Sequence, residues 1–189
     1  MIYIYKSSIN DISIIDYENE YSCLSQNERQ RLSVYKGEKD KKRSLATKVL
    51  LRKAVLEKYS IKDFSLKRAE NGKPFLDFCK LSLSHSGDMA VCAVSSNEVG
   101  IDIEKIKDIK PRNKYKLFTP DENDYVNKCD DNKNIRFLEI WTRKEALLKC
   151  SGIMGERISK QSVLDNNSNY VFKTEILDGY VLSSCEPKI

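Results

Sequence analysis

Histidine is nearly missing from this 189-residue chain, which has a single copy, His85, and its six cysteines are scattered without one C-x-x-C pair. A structural zinc site needs several such ligands at close spacing, so finger and ribbon folds lack their donors. A Ser/His/Asp triad cannot be argued from one histidine without geometry. Neither a Walker loop nor a G-x-G-x-x-G fingerprint occurs, which leaves the common nucleotide-binding folds without an anchor. No uninterrupted apolar stretch reaches transmembrane length, and Met1-Ile-Tyr-Ile-Tyr-Lys6 is not a basic segment leading into a long apolar run. The expectation is a soluble, unexported protein, with Cys23, Cys79, Cys92, Cys129, Cys150 and Cys185 kept as reduced thiols in the cytoplasm, and no membrane or nucleic-acid partner.

What is present points to an ordered domain. Hydrophobic residues make up 40% of the chain, enough for a real core in one domain or two small halves. The formal net charge of +5, from 33 basic and 28 acidic residues, favours anionic partners. It is too mild to single out nucleic acid, and no basic motif interleaved with aromatics supports that reading.

The Ile2, Ile4 alternation predicts a strand. From about Ser25 to Lys58 the spacing of Leu45, Val49, Ala54 and Leu56 predicts one or two helices, rich in Arg29, Arg31, Lys36, Lys41, Lys42, Arg43 and Lys48. Such a basic run is equally a solvated helix face. Asn71-Gly72-Lys73-Pro74 is a turn, because Asn-Gly supports positive φ and Pro74 keeps Lys73 out of the helical region. Leu81 and Leu83 alternate with serines, and Met89 to Val94 is an apolar run, so a hairpin with Ser84 and His85 at its tip is expected. After Pro111 the pattern turns helical, with a helix start at Pro120 and a long amphipathic helix from about Lys133 to Cys150, stopped by Gly152. Tyr170 to Cys185 predicts a second hairpin, turning at Asp178-Gly179. Mixed helices and strands imply an α+β fold with largely antiparallel sheet, and both halves running helices into a hairpin hints at internal duplication.

The chemistry concentrates in Val99-Gly-Ile-Asp-Ile-Glu104. On a strand Gly100, Asp102 and Glu104 share one side, and a hard divalent cation would relieve the repulsion between the two acids, with Gly100 leaving room for a ligand. An amphipathic edge strand with acids facing water fits the same spacing. On the long helix Trp141, Glu145 and Lys149 fall at i, i+4 and i+8 along one stripe. That stripe is either a core tryptophan beside a surface salt bridge, or, if packed against the Asp102 strand, a third acid and a phosphate-contacting lysine. His85, flanked by hydroxyls, is either a satisfied turn residue or a phosphate donor.

Asn71-Gly-Lys-Pro-Phe75, Leu83-Ser-His-Ser-Gly87, Val99-Gly-Ile-Asp-Ile-Glu104, Phe118-Thr-Pro-Asp-Glu122 and Trp141-Thr-Arg-Lys-Glu-Ala-Leu-Leu-Lys149 together resemble the 4'-phosphopantetheinyl transferase superfamily. Their order is closest in kind to its larger two-lobed members, which activate peptide, polyketide and related synthases. The resemblance implies transfer of the phosphopantetheine arm of coenzyme A to a serine of an apo acyl or peptidyl carrier protein, releasing adenosine 3',5'-bisphosphate. Magnesium (Mg2+) is the implied metal, on Asp102, Glu104 and Glu145, with Glu145 also removing the serine proton. Lys149 and Ser84 are implied at the pyrophosphate, Lys149 also in catalysis, Arg43 and His85 at the 3'-phosphate, and the Gly72-Lys73-Pro74 turn beside the adenine. Glu122 matches a further family acid, as ligand or as support. Two similar α/β lobes, residues 1–98 and 99–189, related by pseudo-twofold symmetry with the site between them, and a monomer, are also implied. Gly152-Ile-Met-Gly155 is spaced unlike the usual pattern. The alternative is a non-catalytic carrier-docking or coenzyme A-binding protein on the same fold, which the intact acids at every motif position oppose.

Overall fold

A computed structural model describes residues 1–107, 114–128, 132–152, 159–164 and 169–188. Pro111, Cys129 and residues 153–155 lie outside them. The chain divides into two compact units, Met1–Asn97 and Glu98–Ile189.

In the first unit β1 (Ile2–Ser8) leads into three helices, α1 (Ile14–Cys23), α2 (Gln26–Ser33) and α3 (Glu38–Tyr59). Ser13 and Ser25 cap α1 and α2 by accepting from Asp16 N and Glu28 N. The first of these helices was not anticipated from the sequence, and its apolar Ile14 and Ile15 are exposed; the Ser13-Ile-Ile-Asp16 cap is a local signal for it. A two-residue ladder, β2 (Lys67–Arg68) with β3 (Pro74–Phe75), precedes the hairpin β4 (Lys80–Ser86) and β5 (Met89–Ser95). The sheet order is β1-β5-β4, antiparallel throughout. The helix α3 covers it with Ala46, Leu50, Leu51, Ala54 and Val55, packed against Leu81, Ala90, Cys92 and Val94. Leu56, expected on the apolar stripe, is instead 44% exposed, because the small Ala46 and Ala54 and the buried Lys48 form the inner face. The hairpin turns at Gly87 and Asp88, so Ser84 and His85 lie within β4, just short of the tip.

The second unit opens with β6 (Gly100–Lys105), followed by a short 3-10 helix (Lys114–Leu117), α4 (Pro120–Asn127) and α5 (Lys133–Ser151). A hairpin of β7 (Tyr170–Leu177) and β8 (Tyr180–Pro187) completes an antiparallel sheet of order β6-β8-β7. Pro120 sits at the start of α4 behind a capping box of Thr119 and Glu122, and Gly152 ends α5 in the left-handed region. Apolar residues of α5, among them Phe137, Ile140, Ala146 and Leu147, pack on Val181 and Cys185. Both units thus run strand, helices with the longest last, then hairpin, with the last strand central in each sheet. The fold is α+β with small antiparallel sheets.

Candidate functional site

On β6 the side of Gly100, Asp102 and Glu104 faces α5. Gly100 shows this most directly, since a Cβ there would lie 1.8 Å from the carbonyl oxygen of Ala146 and 2.8 Å from the amide nitrogen of Cys150. The missing side chain therefore makes room for a helix backbone and not, as the strand pattern alone suggested, for a ligand. Close approach of α5 brings its stripe onto the acids. Lys149 Nζ donates to Asp102 Oδ1 at 2.7 Å and to the Ile101 carbonyl at 2.9 Å. Eight residues back, Trp141 Nε1 donates to Glu104 Oε1 at 3.3 Å. Glu145 lies between them on the helix, half-buried. Asp102 is only 6% exposed and is paired with the Lys149 ammonium beside it.

The far side of this contact is built from hydroxyls that the sequence motifs did not single out. Ser183, opposite Asp102 in the β6–β8 register, lies 2.7 Å from Thr142 Oγ1 on α5 and 3.0 Å from Thr174 Oγ1 on β7. Arg143 Nε donates to Thr174 Oγ1 at 2.8 Å. This chain of hydroxyls pins α5 to β8 and β7 beside the acids. Its members come from three separate elements, and nothing local in the sequence relates them.

Glu122, whose role was open between ligand and support, is fully buried and committed to support. It accepts from the Thr119 and Val163 amides at 2.7 and 2.8 Å and pairs with Lys144 Nζ at 2.9 Å. Lys144 also donates to the Gln161 carbonyl at 2.6 Å. Burial pushes the Lys144 ammonium below its usual pKa, and Glu122 pulls it partly back.

A hard, oxygen-seeking cation such as magnesium takes one or two carboxylates and fills the rest of its octahedron with water and phosphate. Asp102 and Glu104, two carboxylates on one face of one strand, suit that chemistry as a donor set. Among the described residues no three histidine, cysteine, aspartate or glutamate side chains gather closely enough to hold a metal ion. Asp102, Glu104 and Glu145 are thus neighbours across β6 and α5 rather than a closed three-carboxylate cage.

In the first unit the basic start of α3 meets the hairpin turn. Arg43 Nε donates to the Gly87 carbonyl at 2.7 Å, Arg43 also pairs with Asp40, and Lys39 Nζ reaches Asp88 at 2.6 Å. Ser84 and His85 stand half-buried on β4 just before that turn. The Ala69–Lys73 turn closes with Ala69 N to the Lys73 carbonyl at 3.0 Å and Gly72 N to the Ala69 carbonyl at 2.8 Å, and Gly72 takes φ +82°, a conformation that suits glycine. Beside it the buried Glu28 binds Arg68 and Lys48, a set that sequence reading missed. Its one local signal, Ser25 three residues before Glu28, reads as a helix cap and says nothing of the two cations.

Two family models match the chain. One, described as 4'-phosphopantetheinyl transferase superfamily, covers residues 98–174, and the other, described as 4'-phosphopantetheinyl transferase, N-terminal, covers residues 13–97. The 4'-phosphopantetheinyl transferase gsp of Aneurinibacillus migulanus is 32% identical over 184 residues, spanning 87% of this chain and 76% of that protein. The 4'-phosphopantetheinyl transferase Sfp of Bacillus subtilis strain 168 is 32% identical over 143 residues, 71% of this chain and 64% of its own length. A phosphopantetheinyl transferase of Thraustochytrium is 34% identical over 154 residues, 69% of this chain and 53% of its own. The chain therefore spans about three quarters of the first and less than two thirds of the other two.

Proposed function

The chain belongs to the 4'-phosphopantetheinyl transferase superfamily, among relatives of the Sfp and gsp type, and from that premise we propose that it converts apo carrier proteins to their holo form. The substrates are coenzyme A and a serine of an acyl or peptidyl carrier protein. The serine oxygen attacks the phosphorus that bears the pantetheine arm. Its bond to the bridging oxygen breaks, and adenosine 3',5'-bisphosphate leaves with the electron pair. The observation that supports this best is the meeting of Lys149 with Asp102 and of Trp141 with Glu104, which puts the Glu145 stripe of α5 on the acidic face of β6.

Asp102 and Glu104, with Glu145 close by, would hold magnesium, which when bound neutralises pyrophosphate charge. The remaining work falls to side chains of this protein. Glu145 accepts the serine proton, directly or through a water. Lys149, already beside the acids, offers its ammonium to the negative charge that grows on the leaving oxygen. Ser84 contacts the pyrophosphate, His85 and Arg43 hold the 3'-phosphate, and Lys73 with its turn borders the adenine. In this reading the repeated strand–helix–hairpin plan reflects two related lobes, and the working form is a cytoplasmic monomer. No helix among the described residues is long and apolar enough to cross a membrane.

Incubation with a panel of apo carriers, coenzyme A and magnesium should add the mass of one phosphopantetheine arm to a carrier. A folded enzyme that modifies none of them would overturn the proposal. Asp102→Asn and Glu145→Gln should each lower kcat by about a hundredfold or more while circular dichroism stays unchanged. Near-normal turnover in either would remove that residue from the mechanism.

A further inference from the structure

The Asn71–Pro74 turn sits on a ladder too small to hold it. β2 and β3 pair over only Lys67↔Phe75 and Arg68↔Pro74, and an isolated two-stranded hairpin is marginal in water even when longer. Something outside the ladder must fix the turn, and Arg68 is placed to do so. Its Nη1 donates to the Gly72 carbonyl at 2.9 Å, while Nε and Nη2 grip the two oxygens of Glu28 at 2.5 and 3.2 Å. A planar guanidinium can serve a carboxylate fork and a carbonyl at once; an ammonium cannot match that geometry.

Glu28 in turn anchors α2. That helix is short and polar, and Glu28 and Leu32 are its buried residues. Glu28 is 4% exposed and also pairs with the 5% exposed Lys48 of α3 at 3.5 Å. Burial raises the Glu28 carboxyl pKa, but the Arg68 hydrogen bond and the charges of Lys48 and Arg68 outweigh it and hold it below its ordinary value. Apolar side chains could seat α2 at no greater cost, since buried ion pairs rarely add net stability. What they could not do is orient the turn. Glu28 and Arg68 also line an open groove of about 790 Å³, together with Arg31, Val34, Lys67 and Phe75.

We propose that Glu28 and Arg68 are positioning residues for coenzyme A, holding the Ala69–Lys73 turn in register with α2 so that they set the affinity for the coenzyme and not the rate of transfer. This rests on the reading that the Gly72-Lys73-Pro74 turn borders the adenine.

The test is steady-state kinetics of the full chain, varying coenzyme A and carrier separately, for Glu28→Gln and Arg68→Lys. Each should raise KM for coenzyme A about tenfold, the loss expected of one charge-assisted tie. Turnover and carrier KM should stay within about twofold, and the double variant should be no worse than the stronger single, because both act through one clasp. Folded variants with unchanged coenzyme A KM would overturn the proposal. So would a parallel loss of kcat and carrier KM that tracks thermal stability, the mark of a purely structural tie. If Glu28→Gln does not fold, Arg68→Lys keeps the charge and decides alone. Lys73→Ala separates the two ideas. If it leaves coenzyme A KM unchanged, the adenine reading fails and the clasp proposal with it. If it raises KM while the clasp variants do not, only the clasp proposal fails.

Discussion

Lys149 commits its ammonium to the chain itself, to the Ile101 carbonyl and to a carboxylate that is almost fully buried. A carboxylate so placed needs a counter-charge. Lys149→Met should therefore destabilise the metal-free protein by about 2 kcal/mol, discounted for the partial exposure of the lysine, as read by urea unfolding in chelator. Adding Asp102→Asn should recover most of that loss by removing the charge. Under the proposed metal role, magnesium should shrink it too, as a rise in Tm. A Lys149→Met protein as stable as the parent, with or without magnesium, would show that Asp102 does not rely on this ammonium. At this scale the i, i+4 stripe of Trp141, Glu145 and Lys149 was legible because helical spacing is local. Glu28, Arg68, Thr142 and Ser183 were not, since their partners lie tens of residues away.

Between elements, the decisive contact is α5 on β6. The Ala146 carbonyl occupies the space a Gly100 side chain would need, and a backbone atom cannot swing aside. Gly100→Ala should cost at least about 2 kcal/mol in denaturant unfolding and weaken transfer, because α5 must lift and carry Lys149 away from Asp102. A second change, Ala146→Gly, should bring no rescue, as the obstruction is the peptide and not the methyl group. A stability change under about 0.5 kcal/mol would mean the helix has room to adjust. Strand alternation placed Asp102 and Glu104 on one side of β6. Alternation does not say what covers that side, so the same pattern suggested ligand space where a helix lies.

Ionisable groups in the first unit contribute to the pH range over which the whole molecule stays folded. The Glu28 carboxyl sits below its ordinary value of 4.5 because its two cations outweigh burial. A depressed carboxyl contributes stability above the unfolded pKa, and that stability is lost as pH falls through the folded one. Burial raises the phenols of Tyr5 and Tyr17 from 10.0 to about 12, with the hydrogen bond and charge of Glu57 adding to the effect at Tyr5. Here the sign is opposite, so the stability is whole below the unfolded value and drains away as pH climbs toward the folded one. Thermal melts across pH should show both limbs. Glu28→Gln should flatten the acid limb and Tyr17→Phe the alkaline one; limbs unmoved by these changes would assign them to other groups.

The sequence by itself determined most of the elements, the helix start at Pro120 and stop at Gly152, the main turns, the pairing of two acids on one strand face and the acid–base stripe on one helix. All of these follow from spacings within a few residues. Only the tertiary structure decided that α5 lies on the Gly100 side of β6, that Glu122 is a buried support for Lys144, and that Glu28 joins α2 to the turn through Arg68. Those contacts join residues about 20 to 50 positions apart, and which distant surfaces meet is set by the packing of whole faces, which no local pattern encodes.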